Sequence, residues 1–160
     1  MGLTWWLISV GFAQSVEEPF VVGAKPQSFW NVGGTVGTSI SDRWGAFVGL
    51  ETGLSTVKGN RLLGVQSDFF YDTTQQNVVG SIGPKVGVLM LNVDGGLAVS
   101  SDLSDMTRVG GYGRLSLNLG VFAGYYRFNV WGEDTLQQFG ISIKVPQLLG
   151  YQPRMEYTEQ

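Results

Sequence analysis

The chain has 160 residues, room for one domain with a real core, and carries a formal charge of −3. Charged residues make up 14% against roughly 25% in an ordinary soluble domain, while glycine is frequent at 24 residues and the mean hydropathy is barely positive. No stretch approaches the ~20 apolar residues of a spanning helix, the ten basic residues form no patch for nucleic acid, and the absence of Cys and His removes thiolate chemistry, the commonest general base and the commonest metal ligand.

In chain order, the segment 1–13 comes first. Leu3 to Ala13 is apolar, and Gly11-Phe12-Ala13 before Gln14 has the small-x-small form of a cleavage site. It reads as a secretion signal, although no Lys or Arg precedes it; a buried first strand and a short helix are the alternatives. Residues 14–28, with Pro19, Pro26 and Glu17-Glu18, read as an N-terminal arm.

The barrel region follows, 29–145. Strand one is expected at Phe29 to Ser41, where Trp30, Val32, Val36 and Ile40 alternate with Asn31, Gly33, Thr35 and Ser39. Strand two runs from Gly45 to Val57, with Phe47 and Glu51 opposite Val48, Leu50 and Leu54. After the turn Lys58-Gly59-Asn60, strand three spans Arg61 to Asp72, with Leu63, Val65, Phe69 and Tyr71 opposing Gln66, Asp68, Phe70 and Asp72. Strand four is Val78 to Leu91, with Lys85 on its polar side and Pro84 in a place that disfavours a central ladder position. Asp94-Gly95 is a strong hairpin signal, so strand five is short, Leu97 to Asp102. Alternation from Thr107 to Val130 is too long for one span and is broken near Asn118-Leu119-Gly120 into strands six and seven. Strand eight is Leu136 to Val145, and Pro146 to Gln160 is a C-terminal tail.

The residues opposite the apolar faces include Glu51, Asp68, Asp72, Lys85, Arg114 and Lys144, among glycine and small polar groups. A soluble barrel would then have a wet surface of glycine, serine and few charges. An eight-stranded barrel in a membrane would turn those charges inward to satisfy one another and show its uncharged face to lipid, where Lys or Arg at mid-bilayer costs about 2–4 kcal/mol. Phe47, Phe70 and Phe122 are also read as inward. Aromatics gather at strand ends, with Trp44, Phe69, Tyr71, Tyr125 and Trp131 near one end and Phe29, Trp30 and Phe139 nearer the other, as two interfacial girdles require.

On this strand pattern over Phe29 to Val145, the chain resembles the small bacterial outer-membrane β-barrels of the outer membrane protein A and X and opacity-protein type. The resemblance implies an all-β fold, an eight-stranded antiparallel transmembrane β-barrel in up-and-down meander order, with both termini in the periplasm and buried ion pairs. Two departures stand out. The chain continues past strand eight, with Tyr157 near its end, where such barrels close on an aromatic residue, and the outer loops are short, which argues against adhesion.

The expected function is an outer-membrane barrel serving envelope structure or narrow passage of small solutes, with no cofactor, no metal and no nucleic-acid partner. Its expected partners are the lipid bilayer and other envelope proteins. A soluble lipocalin-like barrel binding an apolar ligand, or a subunit of a larger envelope complex, are the alternatives. Enzymatic motifs are weak. Ser55 to Lys58 matches Ser-x-x-Lys without its companion motifs, Gly110 to Gly113 precedes no helix, and Asp68 and Asp72 stand roughly 13 Å apart along a strand. Asp102, Asp105, Glu133 and Asp134 share one end and are read as solvated loop tips rather than a weak cation site. The inward charges carry the one mechanistic hypothesis, an ion-pair network that holds register or, less favoured, gates a water path.

Overall fold

A computed structural model describes residues 26–73, 75–88, 90–102 and 107–149. The expected secretion signal and almost all of the N-terminal arm lie outside these residues, as do Asp105 and the tail beyond residue 149.

Eight strands close into one antiparallel barrel in sequence order. They are β1 (Gln27–Ile40), β2 (Trp44–Lys58), β3 (Arg61–Asp72), β4 (Asn77–Val88), β5 (Leu91–Asp102), β6 (Thr107–Leu119), β7 (Phe122–Trp131) and β8 (Asp134–Leu148). β8 closes the ring on β1, from Phe29 opposite Leu148 to Ile40 opposite Gln137. Registered partners can be followed round the ring from Phe29 through Ser55, Gly64, Lys85, Asp94, Arg114, Arg127 and Gln138 to Ser39, ten residues along β1 from the start. That stagger is the shear of the barrel, and it obliges the strands to tilt by about 35–45°.

The connections explain how so regular a ring forms. At the end where β1 begins and β8 finishes, here the near end, Lys58 pairs with Arg61, Val88 with Leu91 and Leu119 with Phe122, so two residues bridge each hairpin. Gly59 and Gly120 open two of these turns at φ +61° and +69°, a backbone region that glycine enters without a steric cost. The far end carries the connections from Ile40 to Trp44, from Asp72 to Asn77 and from Asp102 to Thr107, and a two-residue turn opened by Gly132 at φ +63°.

Two sequence expectations, on Asp94-Gly95 and on the face of β7, need correction, and the expectation for Pro84 is met by a lapse in pairing. Asp94-Gly95 makes no turn. It lies inside β5, which begins at Leu91, and the hairpin closes where Val88 pairs with Leu91. Pro84 sits in β4 opposite Val65 of β3, and the pairing with β5 lapses between Ile82–Leu97 and Lys85–Asp94, because proline has no N–H to give a ladder. Finally, the face of β7 is reversed. Leu119 and Phe122 are partners across a two-residue turn, so both face outward, although they are three apart in sequence. Phe122 is therefore exposed, and Ala123 and Tyr125 face the lumen.

The division of side chains is inside-out by the standard of a soluble domain. Val36, Leu50, Phe69, Ile82, Leu97, Val109, Phe122 and Ile141, at least one from every strand, are each more than half exposed on the outer wall. The lumen holds Glu51, Asp68, Asp72 and Asp94 together with Lys85, Arg114, Arg127 and Lys144, all buried. Among the described residues the remaining charges, Asp42, Arg43, Lys58, Arg61, Asp102, Arg108, Glu133 and Asp134, lie at or next to strand ends.

Candidate functional site: the charged lumen

Alternation along each strand carries these side chains inward, and the stagger stacks them into layers. Arg114 of β6 is the hub. Its Nε donates to Asp94 Oδ2 at 2.9 Å, its cross-strand partner on β5. Its Nη1 reaches across the barrel to Glu51 Oε2 at 3.1 Å and Asp68 Oδ1 at 3.2 Å. Glu51 also faces Lys144 Nζ, 3.2 Å from its Oε1. Asp68 binds a second arginine, Arg127 of β7, at 2.9 Å through Oδ2. Four acids meet four bases, so the lumen is close to neutral, and removing one partner leaves another charge buried and unpaired.

Amides extend the network to both sides. Gln66 donates to Asp68 and accepts from Lys85 Nζ at 3.4 Å. Arg127 Nε donates to Asn129, Asn129 to Gln138, and Gln138 Nε2 to Asp72 Oδ2 at 3.5 Å. A continuous thread of polar contacts thus runs from Asp72 near the far end to Lys144 toward the near end.

Of the residues singled out by alternation, Glu51, Asp68, Arg114 and Lys144 meet directly, Lys85 joins through Gln66, and Asp72 through Gln138. Two members of the network were missed. Asp94 reads as part of a turn, and Arg127 is not singled out at all, because alternation carried through Gly120 gives β7 the opposite parity. The signal that recovers both is the two-residue turn, since partners across it share a face although their numbers differ by three.

Toward the far end the lumen turns apolar. Phe47, Phe70, Val79, Ala98, Tyr112, Trp131 and Leu136 form one buried cluster, with Tyr125 packed against it. Phe47 and Phe70 lie with ring centroids 5.5 Å apart. The Arg127 guanidinium lies 4.8 Å from the centroid of Phe70 and 4.3 Å from that of Tyr112, a cation–π seat that joins the charged and apolar layers. Tyr125 shares a 2.6 Å hydrogen bond with Thr35. Tyr125 and Trp131 were expected in the outer girdle; both are lumenal, again because β7 faces the other way.

The outer aromatics are placed as follows. Trp44 is 72% exposed at the far end, with Phe69 and Tyr71 in the same half of β3. Phe139 belongs to this half as well, not to the opposite one, because it pairs with Thr38 near the end of β1. At the near end stands Trp30, whose Nε1 donates to Thr52 Oγ1 on the outer wall at 2.6 Å. A polar mouth of about 570 Å³ opens at the far end, lined by Asn77, Ser100, Asp102, Glu133, Asp134 and others. There Asp134 pairs with Arg108 at 2.6 Å.

Among solved structures, the chain is similar to one described as a de novo designed transmembrane β-barrel, with 14% identity and a TM-score of 0.48, covering 77% of this chain and 99% of that one. No protein-family model and no curated protein matches the chain. What orients the barrel toward a solvent is its own division of side chains.

Proposed function

We propose that the chain is a membrane-spanning barrel of the bacterial outer membrane, non-enzymatic, that serves envelope structure or the narrow passage of small solutes. One observation carries this reading: an uncharged apolar wall surrounds a lumen that buries four acids and four bases. In water the wall would be an exposed apolar surface far beyond the few hundred Å² that soluble monomers tolerate. In a bilayer it meets hydrocarbon, and the closed ring leaves no unpaired strand edge there. Strands of 10 to 15 residues, tilted, suit a ~30 Å hydrocarbon core, for which 9–11 residues are needed. The termini-bearing near end, with its two-residue turns, is the periplasmic end in this reading, by analogy with small outer-membrane barrels.

The lipocalin-like alternative needs Val, Leu, Ile and Tyr lining a cavity and Phe47, Phe70 and Phe122 facing out. Phe122 does face out and Tyr112 and Tyr125 do face in, but Phe47 and Phe70 are buried and the exposed Val, Leu and Ile of the outer wall are the reverse of that demand. The ion-pair network is read as structural, holding strand register, since buried pairs of this kind are expensive and specify geometry better than they stabilise.

The test is whether the chain needs detergent or lipid to stay monodisperse. A membrane barrel requires it, gives a β-type circular dichroism spectrum and migrates differently in gels when left unheated. A monodisperse monomer in plain buffer would overturn the proposal.

A further inference from the structure

On the reading that the barrel spans a membrane, and taking its envelope-structure arm over passage of solutes, we propose that the apolar layer of Phe47, Phe70, Val79, Tyr112, Trp131 and Leu136, and not the ion-pair network, is what closes the lumen to through-flow. The polar half of the lumen beneath that layer is a water-filled blind chamber that opens at the near end.

The two halves differ in kind. The layer is dense: none of its six members is more than 5% exposed, and Arg127 stacks under Phe70 and Tyr112 from the charged side. Above it lies the polar mouth of about 570 Å³. Below it, toward the near end, Asn31 Oδ1, Ser55 Oγ, Asn92 Oδ1, Asp94 Oδ1 and Ser142 Oγ are buried from bulk solvent with no hydrogen-bond partner in the protein, whereas in the layer itself only Tyr112 Oη and Trp131 Nε1, among the described residues, are so placed. So many polar atoms do not stay dry in a native lumen; they are the groups that internal water satisfies. The side chains around them are small, as at Ser55, Ser142 and Ala123, and the mouth on that side is bordered by Phe29 and Leu62, which are half-buried, beside Val57, which is buried. Water therefore has reason to enter from the near end, and meets an apolar constriction at the other, where a narrow wall of this kind excludes water and ions by dewetting.

The experiment combines conductance with thiol reactivity, which is clean because the chain has no cysteine. In planar bilayers the wild-type chain is expected to stay near baseline, and Phe47→Ala/Phe70→Ala to raise ion conductance about tenfold or more. In the otherwise wild-type chain, silver ion is expected to modify Ser55→Cys rapidly and to leave Val79→Cys protected. The claim is overturned if the wild type conducts like the aromatic variant. It is also overturned if that variant, folded by its heat-modifiable band, stays closed, or if the thiol at position 55 is as protected as the one at 79. Failure of the chain to enter bilayers at all would instead sink the membrane reading; the thiol comparison on the folded protein would still judge the layer.

Discussion

Arg114 and Asp94 are cross-strand partners joined at 2.9 Å, in the middle of β5 and β6, where the dipeptide Asp94-Gly95 has the look of a turn. Because the same guanidinium also holds Glu51 and Asp68, Arg114→Ala should leave three buried carboxylates short of a partner. The expected loss is about 3–5 kcal/mol, read by urea unfolding in a lipid or detergent host. A variant that unfolds like wild type would show that the network does not hold the barrel.

Asp68 receives Arg114 on one oxygen and Arg127 on the other. The Asp68→Asn and Arg127→Ala substitutions should therefore be strongly non-additive. A double-mutant cycle should give a coupling of about 0.5–3 kcal/mol, and additive effects would mean that the contact contributes nothing.

Leu50 lies mid-strand on the outer wall and is 64% exposed, whereas Trp44 lies at the far end of the same strand. Leu50→Arg is expected to cost about 2–4 kcal/mol in a bilayer, and Trp44→Arg about 0–1 kcal/mol from the charge itself, on the depth dependence of an arginine facing lipid. Equal costs at the two depths would contradict the placement of a hydrocarbon band.

Two glycines on neighbouring strands should behave oppositely. A Cβ at Gly140 would run into the Tyr125 ring, with Tyr125 Oη at 2.6 Å, while one at Gly124 would meet open space on the outer wall. Gly140→Ala is expected to destabilise by about 1–3 kcal/mol and to break the Thr35–Tyr125 contact. Gly124→Ala should be neutral or stabilising by up to about 1 kcal/mol. Thermal unfolding of both variants in one host makes the comparison.

Alternation within a strand was legible because each strand buries one face and shows the other, so a period of two survives in the sequence. That is why Glu51, Asp68, Lys85 and Lys144 stand out opposite Leu50, Phe69, Val86 and Ile143. What alternation cannot carry is parity across a turn. Alternation carried through Gly120 gives β7 the wrong parity, so that Phe122 reads as inward, Tyr125 and Trp131 read as outward, and Arg127 is not read into the network. The turn between β4 and β5 was hidden for a different reason. Residues 89–90 are Leu-Met, with no turn chemistry, while Asp94-Gly95 has it in full. Local propensity lost there to tertiary context: Asp94 pairs with Arg114 inside the barrel, and the pairing of Val88 with Leu91 places the hairpin three residues earlier.

The central claim is that the apolar wall faces hydrocarbon and the charges face the lumen. Nitroxide labels at Leu97→Cys on the outer wall and Ser116→Cys in the lumen, in the chain reconstituted in lipid vesicles, test it most directly. The account predicts that the label at position 97 relaxes strongly with oxygen and weakly with a water-soluble nickel chelate, and that the label at 116 shows no such lipid signature. A label at 97 that responds to the nickel chelate as a water-exposed site does would contradict it.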